Sequence, residues 1–353
     1  MGWVCALWMT AFLVQDLRFA GDRDSAIREG VKFLLDRQAA DGSWGAESAF
    51  GQDGNIRSAI TLFCIRALEA TGRDGEEERE AVRRGIGYVM AHAHPRPRAA
   101  SYGMYDFSFY SASYAIAYLS RVKTAEAREA IGRCLDTLRS NQREDGGFTY
   151  LFPGRRDNYE GFTTALVLLN NLEAAKNGVE IPADINRRAL AALQKTRTHE
   201  GYFCYHMIEG KQRGSVSGNG KLCVEGSLVR TIVCEYALVR VGEGKKEGLK
   251  AAVENFFTHR QGLEDVRKRD RKTHQGPFDN APYYFLFGHF YAAAALDELD
   301  RAFRAERAKK LEEIFMSIRE RDGTWLDGRI TGKDYGVAMA LLTLHRLQRT
   351  DEY

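Results

Sequence analysis

The chain has 353 residues, with 51 Lys and Arg against 48 Asp and Glu and a formal net charge of +3. Near-balanced charge without a concentrated basic face argues against a nucleic-acid partner. Six prolines and few alternating β-type runs argue for an all-α class. The length exceeds the usual single core, but an annular core escapes that bound, so residues 21–353 read as one domain.

The first 14 residues, MGWVCALWMTAFLV, are apolar and too short to span a bilayer. They resemble the apolar core of a secretory signal with Phe19-Ala20 as its cleavage point, although no basic residue precedes them. An N-terminal helix packed on the domain is the alternative. Residues 1–20 therefore leave export and a cytoplasmic location both open. Without them five cysteines remain (Cys64, Cys134, Cys204, Cys223, Cys234), an odd number with no CxxC, against a disulfide framework or structural zinc.

From there the chain repeats itself. Phe33-Leu34-x-x-x-Gln38-x-x-x-Gly42-x-Trp44 is followed by Leu138-x-x-x-Gln142-x-x-x-Gly146-x-Phe148. Leu193…Arg197…Gly201-x-Phe203 and Phe315…Arg319…Gly323-x-Trp325 keep the spacing with Arg in place of Gln. An acid precedes each Gly: Asp41, Asp145, Glu200 and Asp322. Tyr88-Val89 and Phe256-Phe257 mark two worn copies, the second delayed by a polar insertion between Gln261 and Gly276-Pro277-Phe278. A motif at fixed spacing from Phe33 to Trp325 signals a repeat architecture of six units.

Each unit reads as helix, Gly turn, helix. Ile27, Val31, Leu34 and Leu35 fall on one helical face, as do Ile56, Ile60, Phe63, Cys64, Ala67 and Leu68 after the turn. Leu249, Val253, Phe256 and Phe257 repeat the pattern, then Leu311, Ile314, Phe315 and Ile318. Gly after a helix end is the expected stop signal. Second helices are rich in small residues (HFYAAAAL, GVAMALLTL) and first helices in charge (EEEREAVRRG), which predicts an inner and an outer ring. Six hairpins predict an all-α (α/α)6 toroid, with an open solenoid as the competing form.

The repeated element resembles the Gln-Trp motif of squalene and oxidosqualene cyclases. That resemblance implies the α/α-toroid superfamily of terpenoid cyclases and protein prenyltransferase β subunits, over roughly residues 25–350. It makes Gln38, Trp44, Gln142 and Trp325 staples between helix ends. It does not bring the chemistry. No two aspartates are adjacent, so the Asp-x-Asp-Asp acid and the Asp-rich metal motif are missing. The prenyltransferase zinc set is broken at Asp279-Asn280-Ala281, where Ala281 replaces Cys, and near Asp334-Tyr335, which has no His. A catalytic zinc needs three protein ligands. The thioester element Gly-Cys-Gly-Glu-Gln is absent as well, and no metal or cofactor is expected.

An acid stands at or before each inner helix: Asp53, Asp106, Asp157 or Glu160, Glu225, Asp279 and Asp334. Tyr105, Tyr110, Tyr159, Tyr283, Tyr284 and Tyr335 accompany them. In a toroid these helix starts point to one mouth. Each acid reads either as an N-cap or as part of an acidic, tyrosine-lined funnel. The expected catalytic residues are His289, Asp279 and Asp334, with His289 as general base or as a hydrogen-bonded core residue. The expected ligand-binding residues are Tyr110, Glu225, Tyr284, Tyr291 and Tyr335. His206 reads as loop surface, residues 214–220 as a lid or a plain linker, and RKRDRK at 267–272 as a solvated loop.

The leading functional expectation is an apolar or isoprenoid-type ligand in a central cavity, without cyclase or zinc machinery. Its rivals are a scaffold that presents its rim to a protein partner and a carbohydrate-active enzyme working with carboxylates and aromatic platforms. Oligomeric state is not readable.

Overall fold

The computed structural model describes residues 23–49, 53–93, 107–150, 158–214, 216–217, 221–269, 274 and 276–348. Six helical hairpins follow one another. The outer helices are α1 (Arg23–Arg37), α3 (Glu76–His92), α5 (Ala125–Asn141), α7 (Ala183–Lys195), α9 (Lys246–His259) and α12 (Arg301–Ser317). The inner helices are α2 (Gly54–Ala70), α4 (Ser108–Leu119), α6 (Gly161–Lys176), α8 (Val224–Arg240), α11 (Tyr284–Leu296) and α13 (Gly332–Gln348). A four-residue helix, α10 (Gln261–Glu264), lies in the insertion of the fifth unit.

Inner helices pack in cyclic order, and α13 returns against α2. The ring is closed. Outer helices bury one stripe; on α5 it is Ala127, Ala130, Ile131, Cys134 and Leu138. Inner helices are covered nearly all round, as on α13, where every residue from Asp334 to Leu344 is buried. A helix apolar on all sides belongs inside a larger assembly, and small residues let neighbouring backbones approach. The core is accordingly an annulus between the two rings.

The repeat motif supplies the stitches. Gln38 Nε2 donates to Gly42 O (2.9 Å) and across to Ala81 O on the next outer helix (2.8 Å). Gln142 does the same to Gly146 O (2.9 Å) and Ile185 O (3.0 Å). Trp44 Nε1 donates to Leu34 O and Trp325 Nε1 to Phe315 O, each at 2.7 Å. Arg319, in the Gln position, donates to Gly323 O (3.0 Å) and to Glu29 of α1 (2.7 Å), so the sixth stitch crosses the seam. Gly45 N–H donates to Asp334 Oδ2 (2.8 Å) there too. The motif Gly is required: Gly42 sits at φ +87°, and a Cβ on it would meet Arg84 O at 2.6 Å. The fourth and fifth units depart from the pattern: Arg197 pairs with Glu235, and among the described residues Gln261 bonds Asp265.

Short strands supplement the helices. β1 (Asn158–Glu160), β2 (His206–Ile208) and β3 (Lys211–Arg213) form an antiparallel sheet. β4 (Val216–Ser217) pairs with β5 (Lys221–Leu222), so part of the stretch expected as lid or linker is a hairpin. Asp106, Asp157, Tyr105 and residues 1–22 lie outside the described residues, as do 270–272 of the basic run. Among the described residues no helix is long and apolar enough to cross a membrane.

Candidate functional site

All six inner helices begin at the same end of the ring, and one side of that mouth gathers polar side chains. Glu160, in the N-cap position of α6, is 0 % exposed and does not cap its helix. Its Oε1 accepts from Thr149 Oγ1 (2.9 Å) and lies 3.1 Å from His206 Nδ1. Thr163 Oγ1 approaches Oε2 at 3.4 Å. The antiparallel register pairs Glu160 with His206 across β1 and β2, and that pairing brings the two side chains together. With the ring proton on Nδ1, the lone pair of His206 is left at Nε2. The expectation of His206 as loop surface is thereby corrected: three-residue strands, invisible to periodicity, place it beside a buried carboxylate.

Beside this pair Tyr205 is a hub. Its hydroxyl lies 2.5 Å from Tyr150 Oη and 3.4 Å from Tyr284 Oη. His274 Nε2 is 3.3 Å away, and His274 Nδ1 lies 2.8 Å from the carbonyl of Asp279. If Nδ1–H donates to that carbonyl, Nε2 accepts the Tyr205 proton. Burial raises the phenols of Tyr150, Tyr205 and Tyr284 well above the usual range and lowers His274. Both kinds of group therefore stay neutral near neutral pH, as donor and acceptor. Phe162 packs 5.7 Å from the Tyr205 ring, and Phe107 stacks 6.2 Å from Tyr150.

Below the mouth the axis is spanned. Tyr114 of α4 and Tyr291 of α11, on opposite sides of the ring, lie close enough for each to influence the other's ionisation. Phe63 packs against Tyr114 (4.9 Å) and Tyr335 (5.7 Å), and Tyr236 against Tyr291 (6.2 Å). Lower still, Arg66 of α2 pairs with Glu173 of α6 (3.6 Å). These rings form an aromatic girdle beneath the bowl of the mouth.

The structure distributes the residues expected from sequence. Tyr110 and Tyr284 stand at the mouth, and charge on Tyr110 is opposed both by burial and by Glu160. Tyr291 and Tyr335 belong to the girdle. Glu225 pairs with His259 (3.3 Å) at the start of α8. Asp53 is an N-cap, accepting from Asn55 N at 2.9 Å. Asp279 contributes its backbone carbonyl to His274 from a positive φ of 53°. Asp334 is 4 % exposed and holds the seam; burial raises its carboxyl above the ordinary value. His289 is buried between the rings against Phe256, Phe285 and Phe315, and burial pushes its pKa down to about 3. It lies away from the tyrosine hub. Tyr150, Tyr205, Arg230 and His274 were not singled out from sequence, because turns and ring curvature bring them together.

Among the described residues no group of three or more His, Cys, Asp and Glu is arranged to hold a metal. No family model and no curated protein matches the chain. Solved structures are similar over nearly its whole length. One is an inactive variant of the α-1,6-mannanase GH76A of Salegentibacter sp. HEL1_6 bound to α-1,6-mannotetrose (TM-score 0.61, 8% identity, 94% of this chain and 100% of that one). Another is the GH76 α-mannanase of Bacteroides thetaiotaomicron (TM-score 0.57, 10% identity, 94% and 97%). A third is a sugar epimerase from a ruminal bacterium (TM-score 0.55, 14% identity, 92% and 98%). At these identities the likeness shows the fold: the chain is an α/α toroid. It does not support a terpenoid cyclase or prenyltransferase.

Proposed function

We propose that the protein is a carbohydrate-active enzyme that moves protons on a saccharide held in the bowl at the mouth of the ring. The observation carrying this reading is the convergence of Glu160–His206 and Tyr205–His274 among stacked aromatic rings. Faces of Tyr150, Tyr205 and Phe162 suit the apolar faces of sugar rings, while the hydroxyls suit sugar hydroxyls.

The set favours proton abstraction and return over glycosidic displacement. Glycosidases place two carboxyl groups across the scissile bond, and among the described residues no second carboxylate faces Glu160. The mannanase relative was inactivated by replacing two adjacent aspartates, a pair this chain lacks. In the proposed roles, His206 Nε2 takes a proton with Glu160 orienting the ring. The Tyr205 hydroxyl, turned from His274 toward the substrate, donates a hydrogen bond to the negative charge that develops.

The test is incubation with a panel of neutral and acidic oligosaccharides in D2O, followed by NMR. The expected result is product formation or deuterium at a single sugar carbon, slowed about 100-fold or more in Glu160→Gln and His206→Asn with melting temperatures unchanged. Turnover unaffected by both substitutions would remove these residues from the reaction.

A further inference from the structure

The mouth carries cations that the described fold leaves uncompensated. Arg230, on α8, is 2 % exposed. Its guanidinium carbon lies 5.0 Å from the centre of the Tyr205 ring, and Nε makes a marginal 3.5 Å contact to Phe203 O. Nη2 is buried with no hydrogen-bond partner among the described residues. No carboxylate among the described residues pairs with it. Its neighbour Arg197 is the contrast, since both its terminal nitrogens grip Glu235, with Nη2 at 2.8 Å. A buried guanidinium without a counter-charge is unfavourable, and here it stands directly under the tyrosine hub.

A second cationic feature adjoins the first. Tyr283, whose ring is 4.9 Å from that of Tyr284, also walls a cavity of about 210 Å3. Arg269, Arg329, Pro282 and Thr331 complete its sides. Arg267 and Lys268 of the basic run are engaged by Glu264 and Glu320. Arg269 is exposed and has no ion pair among the described residues. Thr331 Oγ1, in the same wall, is buried without a hydrogen-bond partner. Both donors are placed for a ligand that brings its own acceptors.

Resting on the saccharide reading of the mouth, we infer that the substrate is an acidic oligosaccharide. One charged group is drawn toward Arg230 beneath Tyr205, and a second anionic unit occupies the Arg269–Arg329 cavity. Carboxylate and sulfate share this chemistry, and the probes below separate them.

Isothermal titration of the wild-type protein compares trigalacturonate, its methyl ester, a heparin-derived tetrasaccharide and mannotriose. The acid is expected to bind about tenfold or more tighter than its ester, which keeps the sugar and removes the charge. That advantage should shrink between about 50 and about 300 mM salt. Arg269→Gln, at an exposed position that does not endanger folding, should weaken the acid several-fold and leave the ester unchanged. Preference for the heparin fragment over trigalacturonate as well as mannotriose would support the inference with sulfate as the favoured anion. Equal affinity for charged and neutral sugars overturns it and leaves the saccharide reading standing. No binding by any of the four overturns both.

Discussion

Glu160 shows how a residue at a helix start escapes the default role. Asp53 caps its helix by accepting directly from the backbone N–H groups of Asn55 and Ile56. Glu160 instead spends its oxygens on Thr149, Thr163 and His206. It was legible as one of two acids before α6, but its partner was not, because the register of a three-residue sheet sets that contact. His289 is the converse: conspicuous in the most aromatic helix, yet turned toward the outer ring by Phe256 and Phe315. It carries a prediction of its own. Its folded pKa of about 3 lies below the ordinary 6.5, so the unfolded chain binds the proton first as pH falls. Stability is unaffected above 6.5 and declines from there toward 3, with a slope approaching about 1.4 kcal/mol per pH unit. Urea melts at pH 7 and pH 4 check this: His289→Leu should lose less stability on acidification than wild type. An identical loss would contradict the assignment.

At the scale of elements, the outer-helix stripes, the Gly turns and the small-residue inner helices were all legible, because a 3.6-residue period and a left-handed Gly are local signals. The stitch was legible as well, down to Gln38 and Gln142. Sequence spacing could not tell that the fifth copy is unstitched, since Gln261 satisfies the interval while its side chain bonds Asp265 within the inserted α10 turn. Each working Gln ties two carbonyls, and a side-chain hydrogen bond contributes about 0.5–1.5 kcal/mol net. Gln142→Ala is therefore expected to cost about 1–3 kcal/mol by chemical denaturation, and Gln261→Ala close to nothing. Equal costs would refute the staple account.

At the scale of the molecule, closure decides what the protein can bind. Asp334 and Arg319 fasten the last unit to the first, as six repeats without a capping unit suggest. Closure forces six inner helices so near the axis that Tyr114 and Tyr291 meet across it. Repeat spacing carries no information on that radius. The mouth offers a ligand a carboxylate–histidine pair, a tyrosine hub and, among the described residues, Arg230 and Arg269 without carboxylate partners. Hydrogen-exchange mass spectrometry of the whole chain, with and without a saturating oligosaccharide, tests this most directly. Slowed exchange is predicted in peptides covering 147–150, 203–208 and 276–286, with the outer helices unchanged. Protection confined to the outer helices, or to the opposite rim around Arg66 and Glu173, would contradict it.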